Sequence, residues 1–335
     1  MISYLFGNLI ARLSPEGAMS TTFFPPSPKY DPSRDIPDLT GKIAIVTGGN
    51  SGVGYETVKQ LLLKNARVYL AARTQVKAQE AIEALAKETG NTAIWLKLDL
   101  GDLESVKQAA AEFSAKEERL IILFCNAGVM VPPVDQLTKQ GYDLQFGTNV
   151  VGHYLLCVLL YPSLNRTFEL TGSRARVIHT SSEGHRIANT PSGLLFEAAK
   201  GGAERDALIK EWGPAVGAPW TLYGFSKMGN VLIANIFNRA YPSVMSCTVH
   251  PGGLKSNLHQ HEPLWQKIFF NLAFYPVPLG AYTQLWAGTS EEGDGFGGKY
   301  LFPWARMGKA DARAAYEATQ DELKGWLDEE IKAYV

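Results

Sequence analysis

Residues 42–54, KIAIVTGGNSGVG, constrain the fold more than any other stretch of the chain. A short apolar, β-branched run at 42–47 reads as a buried strand, and it breaks into the turn Gly48-Gly49-Asn50-Ser51-Gly52-Val53-Gly54. Val53, Val58, Leu61 and Leu62 then recur at helical spacing. A strand that feeds a helix through glycines aims backbone N–H groups and a helix N-terminus at one point. That point suits a pyrophosphate, and side chains at the glycines would block its approach. Placed between a strand and a helix, the turn reads as an anion cradle.

The alternation continues beyond it. Strands are predicted at 66–71, 92–98, 119–124, 175–180, 244–249 and 299–302, and helices at 75–88, 102–116, 138–160 and through 220–241. Such β-α alternation implies an α/β fold: a doubly wound parallel sheet in three α-β-α layers. With 335 residues, 46% of them hydrophobic, the chain can fill the core of one large domain.

The flanks differ in character. Residues 1–38 form an arm, with an apolar stripe at 1–13 (Ile2, Leu5, Phe6, Leu9, Ile10, Leu13) that could rest on the protein body, on an oligomer neighbour or on a membrane surface. Six prolines between 14 and 38 read as an extended arm or linker. The domain proper spans 39–310, and 311–335 reads as a charged helical tail. Aromatic residues crowd 264–286, where Pro276 and Pro278 favour helix, turn, helix. Residues 254–290 are expected to form a lid.

A net charge of −1 and a pI near 6.6 argue against nucleic acid as a partner. Three widely spaced cysteines in apolar contexts, Cys125, Cys157 and Cys247, suit reduced buried thiols and a cytoplasmic setting. His259 and His261 have no convincing companions, and no metal is expected.

In such sheets ligands sit outside the carboxyl ends of the strands. Arg73 follows the second predicted strand, where NAD-binding proteins often carry an acid, and a guanidinium there suits a 2′-phosphate. Lys77 could add a second charge, so NADP is expected over NAD. The other strand ends carry Asp99-Leu100, Cys125-Asn126-Ala127-Gly128 and Ser181-Ser182. Asn149, beside Val150 and Val151, is either a satisfied core amide or a site residue. In WTLYGFSKMGN, residues 220–230, Tyr223 and Lys227 share one helical face, and a fixed ammonium beside a phenol favours phenolate.

Taken in order, TGGNSGVG at 47–54, AAR at 71–73, LDL at 98–100, CNAG at 125–128, Asn149 in TNVVGHYLL, SSEGH at 181–185, YGFSK at 223–227 and HPGG at 250–253 resemble the short-chain dehydrogenase/reductase family. The resemblance covers about residues 39–303, and is closer to the branch of retinol dehydrogenases and WW-domain oxidoreductases. It implies a Rossmann fold in which Gly48, Asn50, Ser51, Gly52, Val53 and Gly54 cradle the cofactor, and Tyr223 acts as general acid or base. Lys227 would lower the pKa of Tyr223 and bond the nicotinamide ribose, Ser182 would steady the substrate oxygen, and Asn149 would hold a water leading from Lys227 to solvent. Asp99 and Leu100 would border the adenine, Asn126, Ala127 and Gly128 the adenosine side, and Pro251, Gly252 and Gly253 the nicotinamide.

Two departures stand out. Cys125 replaces the first asparagine of the family's turn, and Ser182 and Tyr223 are 41 positions apart, so that 183–219 reads as an elaborated substrate loop. The resemblance implies an NADP-dependent carbonyl reductase or alcohol dehydrogenase acting on a small lipophilic or aromatic molecule, in a chain that could form a homo-oligomer. Epimerase or dehydratase chemistry with the same Tyr-Lys pair, and a catalytically quiet NADP-binding regulator, are the alternatives.

Overall fold

Eight strands form one sheet in the computed structural model, which describes residues 25–188, 190–255 and 275–335. They are β1 (Ile43–Thr47), β2 (Arg67–Ala72), β3 (Ile94–Lys97), β4 (Ile122–Cys125), β5 (Ala175–Thr180), β6 (Val244–Val249), β7 (Tyr300–Phe302) and β8 (Arg306–Gly308). Their order is β3-β2-β1-β4-β5-β6-β7-β8. Every pairing is parallel except β7 with β8, a short antiparallel edge that the sequence reading did not foresee. The order reverses between β1 and β4, and that switch point opens a crevice at the carboxyl ends of the strands.

Alternation along each strand builds two cores. Ala44, Val46, Ile122 and Phe124 face one side, and Ile45, Leu123 and Cys125 the other. Helices α1 (Pro32–Asp35), α2 (Gly52–Leu63), α3 (Gln75–Thr89) and α8 (Val277–Thr289) lie on the first side. On the second lie α4 (Leu103–Lys116), α5 (Leu144–Thr171), α7 (Gly217–Ala240) and α9 (Glu317–Ile331), with α6 (Ala203–Trp212) attached at the edge of α7. Chain reversals between strands therefore place helices on both faces, as the alternating sequence requires.

Several expectations change. The helix expected at 138–160 starts at Leu144, because Gly141 takes φ +82° and Asp143 Oδ1 accepts from the N–H groups of Gln145 and Phe146, both at 3.0 Å. It continues through Pro162 to Thr171, since Pro162 lies on the exposed face, where water can serve the carbonyl that proline cannot. Part of the expected lid, α8, is instead a core helix: a Cβ on Gly280 would stand 2.9 Å from Val53, and one on Gly288 2.5 Å from Phe124. The rest of the aromatic stretch, residues 256–274 with His259 and His261, lies outside the described residues, as does the stripe at 1–13.

The charged tail is helical over Glu317–Ile331, as expected, and packs into the core. Leu323, Leu327 and Ile331 are buried, while Tyr154 and Tyr142 donate to Asp328 and Glu330 at 2.7 and 2.6 Å. The last part of the N-terminal arm is not extended either. Pro32 opens α1 under an Asp31 cap, Tyr30 packs edge-on to Tyr282, and Arg306 holds the carbonyls of Pro26 and Ser27.

Segment 183–219 is folded rather than a bare loop. Its helix α6 is pinned to the start of α5 by Arg205, which donates to Asp143 Oδ2 at 2.8 Å and to the Val134 carbonyl at 2.6 Å. Both side chains are 3% exposed, and burial raises the Asp143 carboxyl despite the guanidinium. Removing one partner of such a pair strands the other charge in the interior. Arg205→Met is expected to cost about 3–5 kcal/mol in urea unfolding, and a loss under about 1 kcal/mol would contradict the anchoring role.

Candidate active site

At the switch point the chain turns from β1 into α2 with Gly48 at φ +66° and Gly52 at φ +58°, conformations that glycine adopts without strain. A Cβ on Gly54 would lie 2.3 Å from the Gly48 carbonyl, so this glycine lets the helix close onto the turn. A Cβ on Gly52 would meet nothing within 4 Å, which marks the open side of the cradle. Ser51 caps α2 without a side-chain hydrogen bond, leaving the first N–H groups of the helix available to an anion. Asn50 and Val53 are half-buried in the same turn. A nucleotide pyrophosphate fits this geometry.

Thr47 joins the turn to β4. Its hydroxyl accepts from the N–H groups of Asn126 and Ala127, both at 2.9 Å, and Asn126 Nδ2 donates to its carbonyl at 2.9 Å. The cysteine at 125 leaves these bonds intact, because its side chain points into the core beneath them. There Cys125 Sγ and Cys157 Sγ are 3.6 Å apart, with His179 near enough that the three ligand atoms fall within 4.8 Å. Burial pushes the Cys125 thiol well above its usual range, which keeps it protonated near neutral pH.

Asn149 lies in a π-helical turn, Gly147–Val151, within α5. Its Oδ1 accepts from Val129 N at 2.9 Å, and its Nδ2 donates to Val129 O and Ser226 Oγ, both at 3.0 Å. Its carbonyl accepts from Asn230 Nδ2 at 2.7 Å and from His153 Nδ1 at 3.0 Å. These bonds hold both the side chain and the backbone carbonyl of Asn149. Here the residue clamps β4, α5 and α7 together.

That clamp holds α7, which carries Tyr223 and Lys227. Tyr223 and Lys227 both lie on α7, each 6% exposed, with the ammonium 5.8 Å from the phenol ring centroid. Lys227 Nζ donates to the Thr180 carbonyl at 3.0 Å, and burial pulls its pKa down to about 8. Gly128 comes close to both Asn149 and Lys227: a Cβ there would lie 3.1 Å from Asn149 Oδ1 and 3.5 Å from Lys227 Nζ. The end of β4 therefore meets the lysine directly.

The two serines at the end of β5 part company. Ser181 Oγ is buried and donates to the Lys227 carbonyl at 2.7 Å. Ser182 Oγ accepts from Gly184 N at 3.1 Å, which leaves its proton to be donated elsewhere. Gly184 separates Ser182 from the phenol, and its Cβ would stand 2.8 Å from Tyr223 Cε1 and 3.5 Å from Ser182 Oγ.

At the periphery, Arg73 and Lys77 are exposed, beyond the end of β2 and on the first turn of α3. Neither forms an ion pair among the described residues. Asp99 accepts from Gly101 N at 3.0 Å and is half-buried, whereas the Leu100 side chain belongs to the core. Pro251 and Gly252 are half-buried after β6, with Gly252 at φ +89° beside Pro303, and the Gly253 carbonyl accepts from Tyr275 N. The sequence reading passed over Thr47, His153, Ser226 and Asn230. They are buried polar residues at strand and helix positions, and only their partners across the fold reveal the clamp.

These features coincide with known proteins. The chain matches the short chain dehydrogenase family over residues 42–216. Two short-chain dehydrogenases/reductases of Armillaria gallica are 45% and 46% identical over 319 residues, 95% of this chain and 98% of each of theirs. One from Phomopsis amygdali is 34% identical over 93% of this chain and 96% of its own. Among solved structures, a protein from Mycobacterium paratuberculosis is 24% identical with a TM-score of 0.66, covering 90% of this chain and 97% of its own. A short chain dehydrogenase from Escherichia coli CFT073, complexed with NADPH, is 21% identical with a TM-score of 0.59 over 78% of this chain and 97% of its own. The chain therefore belongs to the short-chain dehydrogenase/reductase family of oxidoreductases, which bind a nicotinamide cofactor.

Four buried histidines surround the site. Burial holds His153, His185 and His250 at about 4 and His179 at about 3, below the ordinary 6.5. As pH falls from 6.5, the unfolded chain takes up these protons before the folded chain does. Their contribution is full above about pH 6.5 and drains away toward pH 4. Urea midpoints are expected to fall steadily across that window, and a midpoint independent of pH there would contradict neutral buried imidazoles.

Proposed function

We propose that the protein is an NADP(H)-dependent carbonyl reductase or alcohol dehydrogenase. The observation that carries this reading is the Tyr223–Lys227 pair, buried together on α7, with Gly184 packed against both Tyr223 and Ser182 and Gly128 against Lys227. The nicotinamide supplies or accepts the hydride when bound. Tyr223 Oη gives the proton to the substrate oxygen in reduction and takes it back in oxidation. Ser182, with its Oγ fixed by the Gly184 N–H, donates its own proton to that oxygen and holds it in line. The Lys227 ammonium lies beside the phenol and favours its ionised form.

Arg73 supports NADP over NAD. It is exposed directly beyond β2, with Lys77 one helical turn on, and among the described residues no carboxylate neutralises either. For the substrate, Trp220 stands edge-on to Tyr223 with ring centroids 5.9 Å apart, placing an apolar wall beside the phenol. That wall, with the motif set shared with the retinol dehydrogenase branch, favours a lipophilic or aromatic carbonyl or alcohol. A screen of NADPH oxidation over aliphatic, aromatic, retinoid and steroid carbonyls would define it.

Tyr223→Phe is expected to lose about 10²- to 10⁴-fold in kcat while NADPH affinity holds, and near-normal turnover would refute the assignment. Arg73→Ala should narrow the preference for NADPH over NADH; equal use of both by the unaltered enzyme would refute the choice of NADP.

A further inference from the structure

The motif SSEGH places His185 three residues after Ser182, and hydride transfer makes no direct use of it. His185 is fully buried, and burial pulls its pKa to about 4, so it is neutral near pH 7. Its Nδ1 lies 2.6 Å from the Ser182 carbonyl oxygen. A carbonyl only accepts, so Nδ1 carries the proton. Its Nε2 lies 2.9 Å from the backbone N–H of Asp311 and accepts from it. One tautomer is therefore fixed at both ends.

Neighbouring side chains make the same connection. Arg186 Nη2 donates to the Lys309 carbonyl at 2.7 Å, and Arg313 Nη1 to the Thr190 carbonyl at 2.8 Å. Tyr300 stacks obliquely on the His185 ring, with centroids 4.9 Å apart. The segment after the serine is thus stitched to residues 309–313, more than a hundred positions later. Gly184, between Ser182 and His185, abuts Tyr223 with no room even for a methyl group. A shift of this turn would move the serine hydroxyl against the phenol.

We propose that His185 is a positioning residue: by bonding the Ser182 carbonyl at one end and the Asp311 N–H at the other, it sets where the Ser182 hydroxyl meets the substrate oxygen. The proposal rests on the reductase reading above. It makes the segment at 309–313 part of the support of the site, although that segment touches no reacting atom.

The test compares His185→Leu, which loses both bonds, His185→Asn, which keeps an amide donor toward the Ser182 carbonyl, and Asp311→Pro. The last removes the N–H donor at a backbone φ of −56°, which proline tolerates, and leaves the histidine in place. Three quantities are read: NADPH affinity, kcat, and the primary isotope effect with 4-deuterated NADPH. His185→Leu and Asp311→Pro are expected to bind NADPH within about twofold of the unaltered enzyme, to lose about 10- to 100-fold in kcat, and to show a larger isotope effect as hydride transfer becomes limiting. His185→Asn should recover part of the rate, and Asp311→Ala, which keeps the N–H, should lose less than Asp311→Pro.

Unaltered kcat in folded His185→Leu or Asp311→Pro would overturn the proposal. So would a fall in kcat matched by an equal loss of NADPH affinity, the mark of general unfolding. Tyr223→Phe separates the two levels of argument. If it retains turnover, the reductase reading fails and takes this inference with it; if it is dead while His185→Leu is fully active, only the inference fails.

Discussion

Everything at this site hangs on the hydrogen bonds of Asn149. Its amide binds both backbone groups of Val129 and the hydroxyl of Ser226, while its carbonyl receives His153 and Asn230. Five bonds on one fully buried residue tie the end of β4 to α5 and α7, and the π-helical turn is the local distortion that aims them. Because α7 carries Tyr223 and Lys227, the clamp ties the position of this pair to the end of β4. His153 extends it, since its Nε2 lies 2.9 Å from Thr47, the residue that pins the glycine turn to Asn126 and Ala127. The glycine turn and α7 are thus two ends of one polar network, laid over the two apolar faces of the sheet.

Strong local signals made much of this legible in the sequence. β5 and β6 occupy the expected residues, and the strand, glycine turn and helix around Gly48 fall where a buried run meets glycines. Parallel strands buried on both faces give dense apolar runs, which periodicity detects well. Tyr223 and Lys227 do share one face of α7, and Gly128 lies close to both Asn149 and Lys227, but ordered motifs pointed to these residues rather than any single spacing.

What escaped the reading was decided by partners far along the chain. Nothing local in 138–143 says that Asp143 caps a helix and at the same time neutralises Arg205, some sixty residues on. The charges of 317–331 hid its contact with the core because its buried stripe is narrow, only Leu323, Leu327 and Ile331 together with Thr319 and Gln320. For α8, aromatic content suggested a lid, yet Gly280 and Gly288 are the residues that let it press against Val53 and Phe124. Small residues mark close packing only once the opposing surface is known. Asn149 shows the same limit at the site itself, where the bonds to Val129, Ser226, His153 and Asn230 are partners that no spacing reveals.

The central claim is that the network holds a nicotinamide and a substrate oxygen on the two sides of Tyr223 so that hydride and proton pass together. Its most direct test is to incubate the enzyme with NADPH deuterated at both C4 positions and an aromatic or retinoid aldehyde and examine the alcohol formed. The account predicts deuterium on the carbinol carbon, delivered to one face only. NADPH consumed with no deuterium in the product, or deuterium divided equally between the two faces, would contradict it.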